Sequence, residues 1–248
     1  TLAEEWLSTL QQWANTPPIP AVRQPVPSPF LISQPIPSSQ ANGLIGREQE
    51  LAQLVATWTI GSLTSTLLLG PPLIGKTSLI NAAVQATRGR ANVFFVPVDR
   101  GSQVLPPATV LLLSICQRVC ADANVPVPGI EDPFWLMDPF QQFDRFFSEA
   151  VRQLGETPIV IVVDSVDALE NAAMVPGVLS ECIEHLLLRI RLPQVVFTFV
   201  TRLPPEYWQQ TPNHPLLRLC SRRRLEVLDT RSVTQSMQAR RIELARQI

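Results

Sequence analysis

"LLLGPPLIGKTS", residues 67–78, decides the reading of this 248-residue chain. Gly70-Pro71-Pro72-Leu73-Ile74-Gly75-Lys76-Thr77 fits the pattern G-x-x-x-x-G-K-[ST]. A loop that wraps an anion must turn its backbone N–H groups inward, and glycine permits the dihedral angles and the close approach this takes. The helix that follows offers its unpaired N–H groups and the positive end of its dipole to the same anion. In such a loop the lysine reaches the β- and γ-phosphates of a nucleotide, and the threonine hydroxyl ligates Mg²⁺. Nineteen of the twenty Lys and Arg residues are arginine, so Lys76 is the only lysine of the chain. A compact ammonium on a flexible stem fits between phosphates where a broad guanidinium fork does not. The expected nucleotide contacts here are Gly70, Pro71, Pro72, Leu73, Ile74, Gly75, Lys76, Thr77 and Ser78.

The surroundings suit the loop. Leu63–Leu69 reads as a strand entering it, and Thr77 to about Arg88 as a helix leaving it, with Leu79, Ile80, Ala83 and Val84 inward. Strands and helices then alternate, the pattern of a parallel sheet covered on both faces, a three-layer α/β fold. Val93–Val98 is a strand whose Pro97 places it at an edge. Ala108–Ala121 is helical, and residues 122–138 form a proline-bearing loop. Asp138 caps a helix with Pro139 in its first turn; Phe140, Phe143, Phe147, Val151 and Leu154 line its inner face, and Gly155 ends it. Ile159–Val163 is an unbroken apolar run, the mark of a strand buried on both faces. Residues 178–191 are helical, and Val195–Val200 is a second buried strand. Arg222–Leu228 alternates charge with apolar side chains and suits the opposite, exposed edge.

Ahead of this region, residues 1–15 form an amphipathic helix with Leu2, Trp6, Leu10 and Trp13 on one stripe. Residues 16–40 hold eight prolines between Pro17 and Pro37, an extended segment that packs along the core. The nucleotide domain covers 41–230, and 231–248 is the start of a helical lid, cut short. With Thr1 in place of methionine, an excised fragment is the expectation. A hydrophobic share of 46% supports a sizeable core, and a net charge of −1 argues against a generally basic nucleic-acid binder. Cys116, Cys120, Cys182 and Cys220 fit neither a CxxC pair nor a secreted disulfide framework, and Cys116 and Cys120 read as packing residues. No apolar run approaches the length of a membrane span, so no membrane partner is expected, and a cytoplasmic location is the default expectation.

Mg²⁺ needs a second protein anchor, and Asp164, at the mouth of the strand 159–163, supplies it together with Thr77. Many relatives of such loops carry a second acid beside this aspartate as general base. Ser165 occupies that place, and Asp167 is the nearest other carboxylate; it either assists catalysis or caps the next segment. Thr201-Arg202 ends the strand 195–200, where Arg202 is positioned to sense a γ-phosphate. Arg222 and Arg218 are candidates for an arginine finger acting in trans if the chain oligomerises. The catalytic candidates are thus Lys76, Asp164, Asp167 and Arg202.

Together with SPFLISQPIP and Leu44-Ile45-Gly46-Arg47-Glu48-Gln49-Glu50-Leu51, these residues resemble the STAND branch of AAA+-related P-loop ATPases, above all its prokaryotic members related to the origin-initiator clade. The resemblance spans about residues 29–235. It implies a P-loop NTPase of the ASCE type with strand order 5-1-4-3-2. It also implies that Ile45, Gly46 and Arg47 line the adenine site. The chain departs from the pattern at Ser165 and in its barely begun lid.

Three functions follow as expectations. The first is a slow ATP-dependent switch that binds ATP or ADP with Mg²⁺ and couples nucleotide state to assembly, or to other domains of a longer chain, through a nucleotide-dependent homo-oligomer. The second is a DNA-associated loader, initiator or transposition ATPase, for which only the arginine-rich stretch 218–246 offers a basic surface. The third is a nucleotide-binding scaffold without hydrolysis. Adenine is expected over guanine, because no NKxD motif is present.

Overall fold

The computed structural model describes residues 44, 46–59, 64–98, 105–127, 129, 132–172, 179–190, 192–203, 207, 211–228, 234 and 238. The expectations for residues 1–40, for Ile45, and for nearly all of the lid start at 231–248 lie outside the described residues.

Five strands form the sheet: β1 Thr66–Leu69, β2 Asn92–Pro97, β3 Ile159–Asp164, β4 Val195–Val200 and β5 Ser221–Arg224. All pairings are parallel, in the spatial order β2-β3-β4-β1-β5. Taken from the other edge, this is the order 5-1-4-3-2 that the resemblance implied. Pro97 does lie on an edge strand, opposite Asp164, and the arginines of β5 lie on the other edge.

The register aligns the strand ends that matter. Leu68 of β1 pairs with Val200 of β4, Val200 pairs with Asp164 of β3, and the Thr201 N–H donates to the Leu68 carbonyl at 3.2 Å. The loop after β1, the acid ending β3 and the turn after β4 therefore emerge side by side.

Helices cover both faces. On one lie α1 (Glu48–Thr59) and α2 (Lys76–Ala86), whose Leu54, Trp58, Leu79, Ile80 and Ala83 pack on Leu68, Val160, Val162 and Val200. On the other lie α3 (Pro107–Asp122) and α5 (Pro139–Leu154), against Leu67, Ile159, Ile161, Val163, Phe197 and Phe199. Alternate side chains of β3 and β4 enter opposite cores, which explains their unbroken apolar spelling. The Trp58 indole also donates to the Thr198 hydroxyl at 3.0 Å, pinning α1 to the sheet. The four cysteines are buried thiols, so Cys116 and Cys120 are packing residues as expected.

Some expectations change. Residues 122–138 are not a continuous loop: α4 (Phe134–Met137) forms one turn, started where Pro133 fixes the backbone and the Asp132 carboxylate accepts the Phe134 N–H at 3.0 Å. Asp138 does cap α5, accepting the Gln141 N–H at 3.0 Å. The helix expected over 178–191 is α7 (Ser180–Glu184) running into a π-helical turn, His185–Arg189. Between β3 and α7 lies the short α6, Asp167–Ala172, and α8, Pro215–Leu219, precedes β5. The described part of the first strand is Thr66–Leu69, shorter than the expected 63–69. The last strand begins at Ser221 and ends at Arg224, not Leu228, because beyond Arg224 the chain turns onto the residues before α1.

Candidate functional site

Gly75 caps α2 in the left-handed region, at φ 94° and ψ 18°. That conformation turns the loop into the helix and suits glycine above any other residue. Gly70 is favoured for a different reason. A Cβ there would stand 3.1 Å from both the Leu225 carbonyl oxygen and Ile74 Cγ2. Leu73, at the loop's tip, is also left-handed, at φ 62°, and is 84% exposed. Pro71 and Pro72 are exposed, Ile74 and Thr77 half-buried, and Ser78 buried.

Lys76 is 6% exposed. Its ammonium donates to the Gly70 carbonyl at 2.6 Å and the Pro71 carbonyl at 2.8 Å, so it lies folded back inside its own loop. Burial lowers its pKa, and the nearby Arg202 guanidinium lowers it further, against the opposing pull of Asp164 and Asp167.

Asp164 ends β3 next to this ammonium. The Thr77 hydroxyl donates to Asp164 Oδ2 at 3.5 Å, and the Ser165 hydroxyl donates to Oδ1 at 3.3 Å. Burial raises the Asp164 pKa, opposed by Arg202, by the hydrogen bonds from Ser165 and by Lys76. A half-buried carboxylate facing a hydroxyl in this way is suited to a hard cation, which takes oxygen ligands and relieves the desolvated charge. The pair Thr77 and Asp164 thus fits Mg²⁺.

Ser165 has φ 62°. Its hydroxyl accepts a hydrogen bond from Arg202 Nη2, and so stands between that guanidinium and Asp164. Arg202 also donates its backbone N–H to Asp167 Oδ1 at 3.0 Å, and Asp167 is buried. Four sequence-named residues therefore converge: Lys76, Asp164, Asp167 and Arg202. The serine relay between Arg202 and Asp164 was not foreseen, since Arg202 and Ser165 are 37 positions apart and meet only through the β3–β4 pairing.

Other candidates lie apart. Arg47 is 5% exposed; its Nη1 pairs with Glu50 at 2.9 Å, and its Nη2 donates to the carbonyls of Ile74, at 3.4 Å, and Glu226, at 2.5 Å. Its guanidinium thus holds backbone. Gly46 has φ 75° and donates its N–H to Glu48 Oε1 at 3.1 Å. Arg218 is exposed and paired with Glu184 at 3.5 Å, while Arg222 is exposed near the start of β5, opposite Leu67. Neither joins the cluster within one chain. Arg223 turns toward α1, to the Gln53 side chain and the Thr57 hydroxyl.

Among solved structures, the Aeropyrum pernix ORC2 protein in its ADPNP–ADP complexes is similar at a TM-score of 0.52 and 15% identity, over 78% of this chain and 51% of that one. The chain thus spans about half the length of that relative. Cdc6p from Pyrobaculum aerophilum gives a TM-score of 0.43 at 18% identity, over 71% of this chain and 44% of that one. A chain of Drosophila ORC bound to DNA gives 0.44 at 14% identity, over 77% and 92%. No curated protein matches. Among the described residues, no helix is long and apolar enough to cross a membrane. The model of the AAA ATPase domain matches residues 43–175, more than half of the chain and the part that holds the loop, Asp164, Ser165 and Asp167. This chain belongs to the AAA ATPase domain family.

Proposed function

We propose that this domain binds ATP and ADP with Mg²⁺ and hydrolyses ATP slowly, acting as a nucleotide-dependent switch. The observation that carries the reading is the opposition of the Thr77 hydroxyl and the Asp164 carboxylate at 3.5 Å, beside an ammonium that donates to two carbonyls of its own loop. Those carbonyl bonds can be exchanged for phosphate oxygens, a charge-assisted gain. The backbone N–H groups at the start of α2 would then face the phosphates, and Thr77 and Asp164 would hold the metal. Bound Mg²⁺ supplies neutralisation of phosphate charge.

Slow turnover follows from where the acids are. Ser165 occupies the place of a general base and is engaged with Arg202 and Asp164. Asp167 Oδ1 is occupied in holding the Arg202 backbone N–H, an engagement that competes with proton transfer. Arg202 remains the group best placed to report on the γ-phosphate.

The test is release and chromatography of nucleotide from the purified protein, followed by turnover on the same sample. Adenine nucleotide with slow release of phosphate is expected. Equal affinity for GTP, or turnover as fast as a motor's, overturns the reading. A DNA-associated role is the second reading, favoured by the exposed Arg222 and Arg224 on the β5 edge. It predicts DNA affinity that falls steeply with salt, and no binding at low salt excludes it.

A further inference from the structure

Three contacts fix the segment that leaves β5. The Leu225 N–H donates to the Leu69 carbonyl at 2.8 Å, at the foot of the phosphate loop. Leu228 packs on Gly46 so closely that a Cβ there would lie 3.2 Å from its Cδ2. Between them, the Glu226 carbonyl accepts from Arg47. The same nitrogen of Arg47 also donates to the carbonyl of Ile74, within the loop and directly before Gly75. One terminal NH₂ therefore spans the phosphate loop and the chain beyond β5, and Glu50 holds the other side of the guanidinium from α1.

A buried guanidinium with its donors satisfied this way is a rigid link, because leaving a carbonyl or the charge unpaired inside the protein is unfavourable. The link ends beside the residues where a bound phosphate must act. Gly70 tightens the arrangement, since a Cβ there would lie 3.1 Å from the Leu225 carbonyl oxygen, closer than ordinary contact. The loop thus meets the exit of β5 twice, once by van der Waals contact and once through Arg47.

We propose that Arg47 is a positioning residue that transmits the state of the phosphate loop to residues 225–228, and through them to whatever the chain carries beyond. This rests on the nucleotide-binding reading above. Ile74 shifts when phosphate replaces Lys76 as the occupant of the loop, and Arg47 carries that shift to Glu226. The base-lining role expected from the resemblance gives way here to a mechanical one.

The test is amide hydrogen exchange of the peptide covering 221–228, with and without saturating ADP and Mg²⁺, saturation being checked by an isotherm on the same sample. In the wild type, nucleotide is expected to change exchange in this peptide at least fivefold. In Arg47→Ala, at saturation, that change is expected to fall below twofold while the phosphate-loop peptide still responds. Arg47→Lys, which keeps the charge but not the fork, is expected to uncouple in the same way and serves if the alanine variant does not fold. A response at 221–228 undiminished in either variant overturns the proposal. Loss of nucleotide binding in both variants also overturns it, because Arg47 is then a binding residue. Failure of the wild type to bind nucleotide appears in the isotherm and overturns the underlying reading instead.

Discussion

In the layer of α3 and α5, Phe143 and Phe147 stack with ring centroids 4.8 Å apart, in a core of apolar side chains and thiols that admits a few polar neighbours such as Thr109, Gln142 and His185. At the loop end of the sheet, a few residues away, the interior holds an ammonium, and the carboxylates of Asp164 and Asp167 lie partly or wholly buried beside it. Two non-glycine residues there, Leu73 and Ser165, stand at positive φ. The first region follows the local rules of packing with few exceptions, the buried Trp135 indole N–H among them, and the second breaks several at once. Such violations gather where a protein binds or reacts, and the regular part of the fold supports them. The comparison teaches which substitutions should alter stability alone and which should alter binding with little loss of fold.

The largest effect belongs to the regular layer. Phe147→Ala is expected to destabilise the chain by about 3–5 kcal/mol, read by denaturant unfolding, through lost burial and the cavity left behind. Where the variant is folded, its nucleotide affinity should stay within about twofold of wild type, since affinity this close corresponds to well under 1 kcal/mol. A large drop in affinity without unfolding would break the separation of the two regions. Lys76→Ala is the converse. ATP affinity should fall by at least about 100-fold, roughly 2.7 kcal/mol, while the melting temperature of the nucleotide-free protein stays level or rises, because a buried ammonium has been removed. Normal affinity in this variant would overturn the site itself.

The same contrast explains what the sequence disclosed. The strand 159–164 was legible because an interior parallel strand must be apolar on both faces, and one acid at its end has few structural uses. The edges were legible from Pro97 and from the arginines of β5. The cap of α5 could be seen in Asp138-Pro139, since capping is local chemistry. The turn Phe134–Met137 could not, because four apolar residues are too few to show a period. The end of β5 at Arg224 was hidden as well: the alternation of Arg222–Leu228 continues past it, and only the tertiary pull of Arg47 on Glu226 and the seat of Leu228 on Gly46 turn the chain away. The role of Ser165 was read as a missing base. Its hydroxyl's place between Arg202 and Asp164 depends on the neighbouring of β3 and β4.

A pH experiment sharpens the description of the loop end. Because burial raises the Asp164 pKa, the folded chain keeps that proton at pH values where the unfolded chain, near the ordinary value of 3.8, has released it. The contribution of this group to stability is therefore greatest at low pH and declines as pH rises from 3.8 through the raised value. Metal needs the ionised form, so Mg²⁺-dependent nucleotide affinity should rise over the same interval. Asp164→Asn should remove both dependences, lower Mg²⁺-dependent ATP affinity by about tenfold or more, roughly 1.4 kcal/mol, and leave the nucleotide-free protein at least as stable near neutral pH. An unchanged affinity profile in that variant would remove Asp164 from the metal site.

The smallest expected effect is the cleanest test of strain. Leu73 holds φ 62° with its side chain 84% exposed, so little packing is lost on truncating it. For an L-residue that conformation costs about 1–2 kcal/mol, and glycine escapes the cost while losing about 0.5–1 kcal/mol through the greater freedom of the unfolded chain. Leu73→Gly should therefore stabilise the protein by up to about 1 kcal/mol, a rise of about 2–4 °C in Tm for a chain of this size. Leu73→Ala keeps the Cβ that clashes in the left-handed region, and so should bring no such gain. Equal Tm changes in the two variants would mean that the strain is not held at this backbone position, leaving Ser165 and the buried charges to distinguish the loop end from the packed layer.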